Sequence, residues 1–416
     1  MTSIRDVLLL QREELQRKID QRYIKRNLIL DATSNEMIKV IIGPRRSGKS
    51  FFAIRVLSGE DHFGYANFDD ESLTQLEDYN EIVTVLNSLY NHPKILLFDE
   101  IQNLARWELF ANRLQRQGYN LVITGSNSNL LGQELATHLT GRHLTLTILP
   151  LAFREIALEN GSVKTQAELK ALFGMYLVYG GYPEPLVGNM NYTEYLSLLF
   201  DSIIYKDIIK RYKLRKTRVI EELAYYMISN VTREISYNNL SKLTGLKSPH
   251  TVKNYVSYLQ NTYLFFELER YSEKVKERIK YNKKIYCIDN GFIRTKAFRR
   301  SNDNGLLYEN LVAIELKRRS ENSHLEFYYW KNQQQEEVDF VIKDGTSITE
   351  LIQVCTDPSD EKTKRREVKS ILRASKELGC TKLLVLTEEY EGEEESEWYG
   401  TRGVIKYVPL WKWLLE

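Results

Sequence analysis

Cysteine is scarce in this chain: three residues in 416, Cys287, Cys355 and Cys380, with no paired or metal-type spacing. That excludes a disulfide-stapled scaffold and reads as the reduced interior of the cytoplasm. Histidine is equally thin, and the spacing of its six scattered residues suggests no zinc site. No long apolar run occurs. Val7-Leu8-Leu9-Leu10 is flanked by charges and falls far short of the ~20 apolar residues of a membrane span, or of a signal-peptide core, so no membrane partner is expected. Charge of one sign is missing too: 58 Lys and Arg oppose 56 Asp and Glu, for a net charge of +2. The global balance points to no partner, and only local charge is informative. Internal repeats and long low-complexity segments are absent. Eight prolines and 27 tyrosines are unusual counts with no physical route to a function.

What is present is more telling. Gly43-Pro44-Arg45-Arg46-Ser47-Gly48-Lys49-Ser50 satisfies G-x-x-x-x-G-K-[ST] at every fixed position. The apolar run 37–42 leads in as a strand, and a helix opening at Ser50-Phe51-Phe52 leads out. The motif's chemistry needs that order. Glycines let backbone N–H groups curl around phosphates, and the helix N-terminus adds its positive dipole end. The pattern implies ATP and Mg²⁺: residues from Gly43 to Phe51 cradle the phosphates, Lys49 reaches the β- and γ-phosphates, and the Ser50 hydroxyl holds Mg²⁺.

About fifty residues on, the apolar strand Ile95-Leu96-Leu97-Phe98 ends in Asp99-Glu100. Asp99 suits Mg²⁺ at the strand's C-terminal end, and Glu100 suits positioning and polarising the attacking water. The plainer alternative is that the pair caps the following helix. A third strand, 120–125, runs into Ser126-Asn127; either side chain suits a sensor of the γ-phosphate or the water, against ordinary turn chemistry. Arg142 is the candidate arginine finger, or else a structural or intersubunit ion pair; acting in trans, it requires a homo-oligomer. Arg45 and Arg46 are placed to touch phosphate or a neighbouring subunit.

The length suggests two to four domains. An N-terminal helix is expected from residue 3 to about 30 (segment 1–30). Over 31–155, strands at 37–42, 63–68, 95–100, 120–125 and 143–149 alternate with helices. That predicts an α/β domain with a parallel sheet covered on both faces. The pattern then turns helical over 156–220, as a lid. A helix is predicted over Gln166–Tyr179, with Thr165 and Glu168 as its capping box and Gly180 as its stop; another runs from Tyr192 to about Ile209. Lys206, Lys210, Arg211, Lys213, Arg215, Lys216 and Arg218 follow, opposed by Asp207 alone. Such a run is either a solvated face or a phosphate-contacting surface.

Residues 221–284 carry two short helices. Tyr237 to Gly245 is stopped by glycine, Leu246-Lys247 is a tight turn, and Ser248-Pro249 opens the second helix. There Val252, Val256 and Leu259 share a face, while His250, Lys253 and Asn254 fall elsewhere. This is a helix-turn-helix pattern, whose second helix enters a major groove in DNA-binding examples. Lys247, His250, Lys253 and Asn254 are the candidate contacts there, with Lys210, Arg211 and Lys213 beside them. Strands at 264–268 and 284–288 bracket a charged segment expected to form a wing. The same unit serves equally as a protein-contact module. Residues 285–416 read as a second α/β unit, with a helix through Glu309, strands at 325–330, 337–342, 348–354 and 382–387, and a helix of about 361–378. Seven glutamates between Glu388 and Glu397 are expected to form a solvated loop.

With these motifs in place the chain resembles the prokaryotic AAA+/STAND-type P-loop ATPases of the archaeal-type ATPase family, which carry a winged helix and a C-terminal PD-(D/E)XK nuclease-like domain. The matching stretches are GPRRSGKS, ILLFDEIQNL, LVITGSNSNLL, LTGRH, YGGYPEP, LLYENLVAIEL, FYYW and EEVDFVI. In the nuclease-like part the resemblance places Glu309 as the helix acid and Asp339 as the strand acid, and puts Gln353 and Cys355 where the pattern wants Glu-x-Lys. Gln353 brings no carboxylate charge and Cys355 no fixed cation, while Glu350 points to the opposite strand face. A degenerate site with weak or absent cleavage is expected, one that still recognises DNA by shape and phosphate. The resemblance thus implies an Mg²⁺-dependent ATP hydrolase coupled to DNA binding, with branched or structured DNA entering by analogy. The alternatives are a regulatory switch ATPase without DNA, or an ATP-dependent nuclease.

Overall fold

The computed structural model describes residues 3–31, 37–59, 62–126, 143–159, 164–188, 190–246, 248–298 and 304–416. Asn127, Arg142 and Lys247 lie outside the described residues. The chain divides into two compact units. The first comprises Met1–Leu151, Tyr182–Asn189 and Asn261–Tyr263; the second comprises Ala152–Gly181, Met190–Gln260 and Leu264–Glu416.

The first unit is built on a sheet of β1 (Ile38–Ile42), β2 (Phe63–Asn67), β3 (Ile95–Asp99), β4 (Asn120–Gly125) and β5 (His143–Thr147). Their order is β2-β3-β4-β1-β5, and every pairing is parallel. β1 and β3 are buried along their whole length, as parallel strands covered on both faces must be. Strand alternation divides their side chains between two cores. Val40, Ile42, Phe98 and Ile123 face one; Ile41, Leu97 and Val122 face the other with Phe52. β4 lies between β1 and β3, so the C-terminal ends of all three open on one edge of the sheet, where ligands bind in this architecture. The expected α/β fold with a parallel sheet is the one observed.

The N-terminal helix is shorter than expected. It spans Ile4–Asp20, opened by a capping box in which Ser3 Oγ accepts from Asp6 N at 3.2 Å. Gln21 is extended at ψ 152° and ends it. Ile24 and Arg26 are both buried beyond that point, and the guanidinium of Arg26 donates to the Leu149 carbonyl at 3.0 Å. Two residues apart, they share a face in extended chain and not in a helix.

In the second unit the helix Gln166–Tyr179 carries the predicted capping box of Thr165 and Glu168. The helix Tyr192–Ser202 runs on as a π-helix over Ile203–Lys210. Ile203 and Ile208, like Ile204 and Ile209, are buried pairs five residues apart, a spacing that matches the wider turn. Then come the helix Thr217–Ser229, β6 (Glu234–Ile235), the helices Tyr237–Thr244 and Pro249–Asn261, β7 (Phe265–Leu268) and β8 (Lys283–Cys287). The three strands form an antiparallel sheet in the order β6-β8-β7. The segment expected as a wing instead carries a short helix, Val275–Lys280. Ser272 organises its start, accepting from Lys274 N at 3.2 Å and donating to Glu277 at 2.8 Å.

The C-terminal part is a six-stranded mixed sheet flanked by the helices Asn304–Glu321 and Glu361–Leu378. Its strands are β9 (Leu325–Lys331), β10 (Glu337–Asp344), β11 (Ser347–Val354), β12 (Leu383–Thr387), β13 (Gly392–Trp398) and β14 (Thr401–Pro409), in the order β13-β14-β12-β11-β10-β9. β11, β12 and β14 run parallel, and the other pairs are antiparallel. The glutamate-rich segment expected as a solvated loop contains the edge strand β13. Glu394 is held there by Lys364 at 2.7 Å and Glu397 by Arg402 at 2.6 Å. Charge on an edge strand stays solvated while blocking further pairing.

Candidate functional site

β1 delivers the chain into the loop 43–48 at the sheet's C-terminal edge. Gly43 sits at φ 145°, and a Cβ there would lie 2.1 Å from the Ile148 carbonyl oxygen. Gly48, at φ 94°, heads the helix Lys49–Leu57 with no side-chain cap and no acidic residue in the first turn. No side-chain cap and no first-turn acid competes with an anion at this helix N-terminus. Lys49 is buried and donates from Nζ to the Gly43 and Pro44 carbonyls at 3.1 and 2.8 Å.

The Ser50 hydroxyl meets Asp99 directly, donating from Oγ to Oδ1 at 2.7 Å. Asp99 also accepts from Thr124 Oγ1 and, at 3.2 Å, from the Tyr65 hydroxyl. Burial, then the neighbouring Glu100 charge, push the Asp99 carboxyl above its ordinary pKa, while Thr124 and Ser50 pull it back. The pair offers hard oxygen donors of the kind Mg²⁺ takes. Glu100 stands next along at φ 52°, a left-handed conformation uncommon for a residue with a Cβ. Its N–H donates to Thr124 Oγ1 at 3.0 Å, and its Oε2 accepts from Ser126 Oγ at 3.0 Å and from Gln102 Nε2. Burial pushes the Glu100 carboxyl up. The Lys49 charge, then the donors Gln102 and Ser126, outweigh this and hold it below its usual range. The structure thus brings Lys49, Ser50, Asp99, Glu100 and Ser126 together. Arg46 instead pairs with Glu184 at 2.6 Å.

Three contributors escaped sequence reasoning. Thr124 ties both acids together from the end of β4, and its place beside Ser126 was the available signal. Gln102, two residues past Glu100, orients that carboxylate. Arg26 had no local signal. It is buried, and its guanidinium spans the Leu149 and Ser47 carbonyls beneath the loop. Arg26→Ala would leave two buried carbonyls without these donors, at a cost of about 1–3 kcal/mol. The expected result is ATP affinity lowered by about 5- to 150-fold, read by titration with a fluorescent ATP analogue. Unchanged affinity would reduce Arg26 to a packing residue.

In the second unit, His250, Lys253 and Asn254 are exposed on the helix Pro249–Asn261, and Val252, Val256 and Leu259 are buried beneath them. Lys210 and Lys213 are exposed and Arg211 half-buried. Tyr212 stacks on Tyr258 with ring centroids 3.8 Å apart and planes 15° apart. That stack brings the basic run against the helix.

Glu309, Asp339 and Gln353 also meet, on the wall of a cavity of about 790 Å³. The β9–β10 register shifts between Val338 and Val341. Asp339 lies in that irregularity, donating from N to Gln353 Oε1 at 3.2 Å and accepting at Oδ2 from Val354 N at 2.9 Å. Gln353 Nε2 donates to Glu367 on the helix Glu361–Leu378. Glu350 pairs elsewhere, with Lys382 at 3.1 Å. The residue no pattern anticipated is Lys284, buried on β8, whose Nζ lies 2.9 Å from Glu309, 2.6 Å from Glu337 and 3.6 Å from Asp339. Tyr286 donates to the same Glu309 oxygen at 2.8 Å. Burial pulls the Lys284 pKa down, but Glu309 and the other acids outweigh it and hold the amine charged. Burial, then the Glu309 charge, push Asp339 well up, and Lys284 draws it back.

Residues 35–157 match the model of an AAA domain, and residues 170–303 and 304–413 match two domains of unknown function, DUF8612 and DUF4143. The chain is 36% identical to the uncharacterized protein MJ1544 of Methanocaldococcus jannaschii over 95% of its own length and 91% of that protein's. It is 31% identical to an uncharacterized protein of Haemophilus influenzae over 70% of this chain and 77% of that one. Among solved structures, the Walker-type ATPase paby2304 of Pyrococcus abyssi aligns at 17% identity and a TM-score of 0.39, covering 70% of this chain and 96% of that one. The replication initiator DnaA bound to AMPPCP and single-stranded DNA aligns at 14% identity and a TM-score of 0.29, over 60% of this chain and 87% of that one. Among the described residues no helix is long and apolar enough to cross a membrane.

Proposed function

The chain belongs to the family of the Methanocaldococcus jannaschii protein MJ1544 and carries an AAA-type P-loop ATPase domain; from that premise we propose an Mg²⁺-dependent ATP hydrolase whose turnover responds to DNA. The observation that carries the ATPase reading is the contact of Ser50 with Asp99, 49 residues away, with Glu100 held beside it. Ser50 and Asp99 would hold Mg²⁺, which would supply positive charge against the phosphates. Lys49 turns from the loop carbonyls to the phosphates. Glu100 orients the attacking water and accepts its proton at a carboxylate oxygen, while Gln102 and Ser126 fix that carboxylate.

The DNA reading rests on the two helices Tyr237–Thr244 and Pro249–Asn261 with the small sheet β6-β8-β7, an arrangement that fits a winged helix. It rests equally on the Tyr212–Tyr258 stack, which brings the segment of Lys210, Arg211 and Lys213 against the helix that carries Lys253. One surface then offers phosphate contacts and a helix for a groove. The test is ATP hydrolysis with single-stranded, duplex, forked and four-way-junction DNA at two salt concentrations. Stimulation by one of these structures, weakened by salt, is expected. Lys210→Glu with Lys253→Glu should remove the stimulation and leave the DNA-free rate unchanged.

A second reading, a nucleotide switch without DNA, draws on Glu184. The helix Pro183–Gly188 lies within the first unit and holds Arg46 of the phosphate loop. Equal hydrolysis rates with every DNA, and no shift of any DNA in a gel, would put this reading first.

A further inference from the structure

A nuclease-like reading of the C-terminal part requires a divalent ion held by Glu309, Asp339 and a third acid. The residues present do not fit one. Gln353 stands in the third place, with both ends of its amide engaged, Oε1 by Asp339 N and Nε2 by Glu367. Among the described residues no group of three or more His, Cys, Asp or Glu is disposed to hold a metal. A cation is present nonetheless, and it is covalently part of the chain.

We propose that the ammonium of Lys284, set behind the cavity wall, is the resident cation of the cluster of Glu309, Glu337 and Asp339, replacing a metal ion and anchoring the three-stranded sheet to the six-stranded one. Lys284 enters from β8, the middle strand of the small sheet, with only 4% of its side chain exposed. Its partners sit on other elements: Glu309 on the helix Asn304–Glu321, and Glu337 and Asp339 on β10. An ammonium supplies compact positive charge and three donors, enough to meet three carboxylates. It has no vacant coordination position and so generates no hydroxide. The cluster therefore holds two sheets together without performing hydrolysis.

The same charge balance excludes phosphodiesters. Seven carboxylates and two cations line the cavity, with Lys284 already spent on the acids behind it. A DNA strand entering such a site without metal meets net repulsion. On this inference the cavity does not take up the phosphate that the degenerate site was expected to recognise.

The test is Mn²⁺ binding to the nucleotide-free full chain near pH 8, followed by electron paramagnetic resonance. Wild type and Asp339→Asn should bind Mn²⁺ alike, with no equivalent dependent on Asp339. Lys284→Met should melt at a lower temperature in EDTA, because Glu309, Glu337 and Asp339 lose their common cation, and combining it with Asp339→Asn should recover part of that loss. One equivalent bound by wild type and lost in Asp339→Asn would overturn the proposal. A Lys284→Met protein that melts as wild type does would overturn it too. Should that variant fail to fold, Lys284→Gln replaces it, and the wild-type comparison decides by itself.

Discussion

Lys49→Ala should bring ATP hydrolysis to background, a loss on the order of 10³-fold, with ATP binding weakened as well. Lys49 is the cation closest in sequence to the head of the helix Lys49–Leu57, and its Nζ rests on the Gly43 and Pro44 carbonyls. Those contacts are loop contacts that a γ-phosphate oxygen can replace, since an anion outcompetes a neutral carbonyl for a buried ammonium. The charge has a second role. Lys49 is the main influence drawing the buried Glu100 carboxyl below its ordinary range. Its removal should therefore move the acidic limb of any residual activity to higher pH, because a carboxyl without its cation protonates more readily. The check is a steady-state phosphate-release assay across pH, with the denaturation midpoint as a control for folding. Hydrolysis within a fewfold of wild type would remove the loop from the catalytic site.

Glu100→Gln should bind ATP nearly as wild type does and turn it over about 10²–10⁴-fold more slowly, the range supplied by a positioned general base. The substitution is close to isosteric, so Ser126 keeps an acceptor at the amide oxygen. Gln102 keeps the same acceptor, since its Nε2 donates to that same oxygen. Asp99 should respond in the opposite direction. Its pKa is raised by burial and then by the Glu100 charge, so removing that charge lets Asp99 ionise at lower pH. Separate measurement of ATP affinity and single-turnover rate divides the two effects. A normal single-turnover rate would assign the water to another group. Impaired binding would instead make Glu100 a prop of the loop.

The parallel sheet was legible because its signals are local. The central strands β1, β3 and β4 are short apolar runs that end in polar or glycine-led turns, and the phosphate loop announces itself by residue type at fixed spacing. The capping box of Thr165 and Glu168 likewise lies within one helical turn. Where the reading went astray, a distant contact overrode a local pattern. The N-terminal helix ends at Asp20 and not near residue 30, with Ile24 and Arg26 buried in the chain beyond it. The glutamates of 392–398 pair as an edge strand because β14 offers its free side, and nothing in an acidic run foretells that. The segment after Ser272 became a helix through a turn contact that composition did not reveal.

The sequence by itself determined that a phosphate loop follows a buried strand, that two acids end another, and that a glycine-marked pair of helices precedes an α/β unit. These are matters of residue type and short spacing, and the chain carries them wherever it folds. Tertiary structure alone decided which side chains complete the sites. Arg26 lies 21 residues from the loop carbonyl it supports, Thr124 lies 25 from Asp99, and Lys284 lies 25 from Glu309. In each case the partners lie on separate elements of the chain, brought together by core packing. A lysine beside another at the start of a strand, as Lys284 is beside Lys283, reads as an ordinary surface charge until the fold surrounds it with carboxylates.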